Sequence, residues 1–160
     1  MATEFSYLTK EEIFELHSQI IEEIGGTHGL REEGGIDRLV DFVENDWYYP
    51  TLEEKLTYIV FSLCTGHYFV DGNKRISIVA GAHFLIKNKK SWAAMRFYEY
   101  FHAYAWHIAA GNIDKDLFTR IVHCYINYKE MDESLKLEIA NAISGGHQIY
   151  DEQNEQQSTV

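Results

Sequence analysis

Nine consecutive residues carry most of the chemistry this chain could do: His67-Tyr68-Phe69-Val70-Asp71-Gly72-Asn73-Lys74-Arg75. An imidazole changes charge near neutral pH and can accept the proton of a hydroxyl, so His67 is the candidate general base. Asp71, four residues on, offers one hard carboxylate of the kind that holds Mg²⁺ against phosphate oxygens. Gly72 and Asn73 tolerate turn conformations that most residues avoid. Backbone N–H groups of such a turn at a helix start form a nest for an anion. Lys74 and Arg75 add positive charge there, and Arg75 has a planar fork that fits phosphate. A base, a metal ligand and a phosphate cradle in so short a span point to phosphoryl or nucleotidyl transfer. The same Asp-Gly-Asn-Lys-Arg run is also the composition of an ordinary solvated turn. It is not a Walker A loop: five residues separate Gly66 from Gly72 where four are required, and Asn73 stands before Lys74.

Such a site needs rigid elements on both sides. Residues 56–63 and 76–86 supply apolar, helix-like sequence, the second apolar nearly all round and so expected at the centre of a bundle. Thr51 and Glu54 form a capping box that starts the helix delivering His67. Thr9 and Glu12 form another, followed by Ile13, Leu16, Ile20 and Ile24 at helical spacing, and Gly25-Gly26 ends that helix. His17 on it is expected to be a packing residue, and His83 a core histidine. The glycine-rich residues 25–35 read as a connector. A short helix is expected over 36–43, and Trp47-Tyr48-Tyr49 after it are assigned to the core. A further helix over 97–110 stops at Gly111-Asn112, and Asp114 opens the next. Residues 133–143 read as one more amphipathic helix, stopped by Gly145-Gly146, before a polar tail expected to be disordered.

The chain has 160 residues, the size of one domain with a real core. A net charge of −11 argues against broad nucleic-acid binding, which wants a basic face. Cys64 and Cys124 show no CxxC and no zinc spacing, so buried free thiols in a reducing cytoplasm are expected. No apolar run approaches a membrane span, and the first residues do not read as a signal peptide.

The nine residues resemble the signature of the Fic/Doc superfamily, His-x-Phe-x-(Asp/Glu)-(Gly/Ala)-Asn-(Gly/Lys)-Arg. They are most similar to its death-on-curing (Doc) branch, because Lys74 stands where nucleotidyl-transferring Fic enzymes carry a second Gly. Those enzymes also place another Arg where this chain has Ile78. The likeness extends over residues 7–128 through the Gly-Gly-x-x-Gly pattern at Gly25 and the stretch Ala109-Ala110-Gly111-Asn112-Ile113. The resemblance implies an all-α Fic/Doc bundle of about six to seven helices, with residues 25–35 as a small flap over the site, with or without a short β-hairpin. It implies a domain over 5–128; beyond it the residues themselves predict an added C-terminal helix over 129–146 and a disordered tail over 147–160. It implies His67 as catalytic base, Asp71 as Mg²⁺ ligand, Gly72, Asn73, Lys74 and Arg75 as the nucleotide-binding residues, and Phe69 as the structural anchor of the loop.

The function so implied is that of a cytoplasmic toxin of a toxin–antitoxin module. It would be a kinase moving phosphate from ATP, with Mg²⁺, to a Ser/Thr hydroxyl of a protein. Elongation factor Tu is the implied target and a cognate antitoxin the implied partner, with no nucleic acid and no membrane. A Fic-type adenylyltransferase and a non-catalytic nucleotide- or partner-binding domain are the alternatives. Many Fic proteins are inhibited by a (Ser/Thr)-x-x-x-Glu-(Gly/Asn) helix. Here Ser134 and Glu138 fit but Ile139 does not, so self-inhibition is not expected.

Overall fold

The computed structural model describes residues 4–157, with side chains as far as Gly145. Among these residues the chain is all-α, as expected, with eight helices: α1 (Lys10–Ile24), α2 (Glu33–Phe42), α3 (Leu52–Thr65), α4 (Asn73–Lys87), α5 (Ser91–Tyr100), α6 (His102–Ala109), α7 (Lys115–Ile126) and α8 (Glu133–Gln157). Both capping boxes form: Thr9 and Thr51 accept from the backbone N–H of Glu12 and Glu54, whose carboxylates return the bond. Gly25 caps α1 and Asp114 caps α7.

α4 is the central element and packs against α1, α3, α5 and α6. Its Ile76, Ile78, Ala80, Phe84 and Leu85 are all fully buried, which is why its sequence shows no polar face. α3 lies beside it with Leu56, Ile59, Val60 and Leu63 equally enclosed. The loop between these two buried helices therefore has two fixed ends.

Several local expectations shift. The expected single helix over 97–110 bends at Phe101, whose fully buried ring packs on Phe97, Tyr104, Phe118 and Tyr125. α2 begins at Glu33, because Gly34 and Gly35 are helical and not loop. α8 does not stop at Gly145-Gly146; its backbone runs on as helix to Gln157, where a disordered tail was expected, and residues 158–160 lie outside the described residues. His83 is part-exposed, 4.0 Å from Glu12 at the α1–α4 seam, instead of in the core.

The aromatics before α3 are also corrected. Trp47 is 88% exposed and Tyr48 59% exposed, while Tyr49 stacks on Tyr58 at 4.4 Å. A buried lysine explains the arrangement. Lys55, fully enclosed, donates to the Val43 carbonyl at 2.9 Å and pairs with Asp46 at 2.8 Å, under the rings of Phe5 and Tyr7. The turn is thus held by a cation from below and its rings turn outward. No helix among the described residues is long and apolar enough to cross a membrane.

Candidate active site

The loop of residues 66–72 is tied down by three anchors. Phe69 is buried, its ring parallel to that of His17 at 3.8 Å and edge-on to Phe14 at 6.0 Å. The Asn73 side chain closes the loop on itself: its Oδ1 accepts from the Phe69 N–H at 3.1 Å and its Nδ2 donates to the Phe69 carbonyl at 2.9 Å. His17 donates from Nε2 to the Asp71 carbonyl at 2.7 Å, since a carbonyl can only accept. Burial lowers the His17 pKa, so the neutral ring is favoured there. His17 thus does more than pack. Its two partners lie more than 50 positions away, which no local pattern could reveal.

What these anchors leave open is the chemistry. His67 is exposed, held in a left-handed backbone conformation at φ 52, and its ring has no hydrogen-bond partner among the described residues. Lys74 is exposed and pairs with no carboxylate among those residues. α4 starts at Gly72, which is left-handed at φ 78, and no side chain caps the first turn. The first N–H groups of α4 are therefore without a side-chain acceptor, and Lys74 and Arg75 stand beside them. His67, Asp71, Gly72, Asn73, Lys74 and Arg75 line one cavity of about 300 Å³, with Cys64, Val70 and Ala109 completing its wall. The Asn73 side chain is committed to the loop, which leaves its backbone N–H for the expected nest.

Asp71 is half-exposed. One carboxylate oxygen accepts from the Gly72 N–H at 2.7 Å and the other from the Thr27 N–H at 3.1 Å. These two bonds, Gly72 first, lower its pKa and keep it charged. Each oxygen retains lone-pair capacity. One such carboxylate suits Mg²⁺, which fills most of its octahedron with water and phosphate oxygens. No cluster of three or more His, Cys, Asp or Glu among the described residues forms a protein-only metal cage.

The flap docks along the loop. Leu30 bridges Phe69 in antiparallel fashion, Arg31 N–H donates to the Tyr68 carbonyl at 2.7 Å and Val70 N–H to the Gly29 carbonyl at 2.9 Å. This single bridge takes the place of a hairpin. Arg75 reaches the Gly25 carbonyl at 2.8 Å and lies 3.7 Å from Asp71. Gly26, at φ 124, is needed for this approach, since a Cβ there would sit 2.6 Å from the Asp71 carboxylate. Glu138 does not reach Arg75; it grips Arg120 of α7 in a two-point ion pair of 2.5 and 3.1 Å.

Comparison with curated proteins gives no match. Comparison with protein families does: residues 7–85, from just before α1 through most of α4, match the Fic/DOC family. Those residues contain every group that lines or anchors the cavity except Ala109. The helical segment that builds this site is the part of the chain that is similar to the Fic/DOC family.

Proposed function

We propose that the chain is a Fic/Doc-type transferase of the death-on-curing kind, a toxin that moves the γ-phosphate of ATP to a Ser or Thr hydroxyl of a protein. Elongation factor Tu is the target and a cognate antitoxin the partner that the resemblance implies. One observation carries the reading: an unpartnered imidazole, a charged carboxylate and a cation-flanked, uncapped helix start line the same cavity.

The chemistry follows from that arrangement. His67 takes the proton of the target hydroxyl as its oxygen attacks the γ-phosphorus. The new P–O bond forms as the bond from the γ-phosphorus to the β,γ-bridging oxygen breaks, and ADP leaves with that electron pair. The N–H groups at the start of α4, with Lys74 and Arg75, hold the phosphates and the charge that develops. Asp71 would hold Mg²⁺, which when bound would further neutralise the phosphate oxygens. The flap backbone, docked on Tyr68 and Val70, aligns the target segment in this reading.

The test is to incubate the purified protein and Mg²⁺ with a bacterial lysate and ATP labelled at the γ- or the α-phosphate. Protein labelled only from the γ-position is expected, with a silent His67→Ala control. Label only from the α-position makes the chain an AMP transferase using the same His67 and Asp71. No label from either overturns the enzyme reading in favour of a binding domain.

A further inference from the structure

His17 lies 54 positions before Asp71, on a different helix, and no step above uses it. We propose that it is a positioning residue: it locks the Asp71–Gly72 peptide in one orientation and thereby sets the anion-binding start of α4. The inference rests on reading that start as a phosphate site.

The carbonyl of Asp71 and the N–H of Gly72 belong to one peptide plane. His17 Nε2 holds the carbonyl end at 2.7 Å, and the Asp71 carboxylate holds the N–H end at 2.7 Å. The second hold is indirect, since it acts through the Asp71 side chain, which the Thr27 N–H steadies at 3.1 Å. Gly72 itself offers no resistance, since at φ 78 a residue without Cβ rotates freely between turn forms. A flipped plane would turn the carbonyl toward the cavity and present oxygen where an anion needs N–H groups. The donor from α1 opposes this directly, at the carbonyl itself.

His17 is itself fixed. It is 4% exposed, and its ring lies on that of Phe69 at an angle of 12°. Ile21 of the same helix flanks it: a Cβ at Gly72 would meet Ile21 Cδ1 at 3.3 Å and Nε2 at 3.4 Å, so α1 packs directly on this glycine. Two functions of His17 can therefore be separated, the ring contact that stabilises and the donor that positions.

Two substitutions separate them. His17→Phe keeps the ring on Phe69 and loses the donor. His17→Gln places an amide N–H at the reach of Nε2 and gives up the ring. The readouts are thermal melting, binding of ATP with Mg²⁺, and the amide resonances of Gly72 and Asn73. The proposal expects His17→Phe to melt near the unaltered protein but to bind about ten- to a hundredfold more weakly, with both amide resonances displaced. His17→Gln should melt lower yet bind close to the unaltered protein. Stability and binding thus rank the two variants in opposite order. Binding that simply follows stability overturns the proposal, as does His17→Phe with unmoved amides. If the unaltered protein does not bind ATP, the phosphate-site reading fails, and the amide resonances alone still decide whether His17 fixes this peptide.

Discussion

The starts of α3 and α4 sit at opposite ends of one helical pair and are built on opposite rules. α3 begins as a stable helix should: Thr51 caps it, Glu54 returns the bond, and Glu53 and Glu54 place negative charge at the positive end of the dipole. α4 begins with a left-handed glycine, no side-chain cap, no acid in the first turn, and Lys74 and Arg75 where the dipole disfavours cations. The bundle can carry that local cost because α4 is the central element, packed against α1, α3, α5 and α6, and its loop is anchored by Phe69, Asn73 and His17. The difference teaches that the α3 start serves the fold, whereas the α4 start leaves its first N–H groups without a side-chain acceptor, as the proposed phosphate site requires.

The comparison can be broken at four places. The largest effect belongs to His67→Ala, which should lower protein labelling by about 10²- to 10⁴-fold while leaving the melting temperature unchanged, because the ring is exposed and unbonded. Phe69→Ala removes the buried anchor and should cost about 3–5 kcal/mol in denaturant unfolding, with activity lost alongside. Lys74→Glu makes α4 begin like α3. It should raise stability by about 0.3–1 kcal/mol and at the same time weaken binding of ATP, a trade visible by melting and calorimetry on one sample. Thr51→Ala is the reciprocal control: it should cost about 1 kcal/mol and leave transfer per folded molecule unaltered.

The sequence made legible whatever is local. The capping boxes at Thr9 and Thr51 and the buried character of α4 each lie within a few residues, and the loop motif within nine. What escaped depends on distant partners or on tolerance. His17 reads as packing because its acceptor is 54 residues away. Trp47 and Tyr48 read as core by residue type, but they stand exposed on a turn whose Val43 and Asp46 are held by Lys55, a lysine that no pattern marks as buried. Gly145-Gly146 read as a stop, although an isolated pair is a penalty that a long helix can absorb. The exclusion of self-inhibition rested on Ile139; the structure adds that Glu138 is already taken by Arg120, a pairing between two helices.

The central claim is that the start of α4 is a preformed phosphate site beside His67. A titration of the ¹⁵N-labelled protein with ATP and Mg²⁺, followed by amide resonances, tests it most directly. The account predicts saturable shifts at Gly72, Asn73, Lys74 and Arg75, with Thr27 of the flap following through Asp71, and none at Glu53 and Glu54 of the capped α3 start. Shifts absent from residues 72–75, or equal at both helix starts, would contradict it.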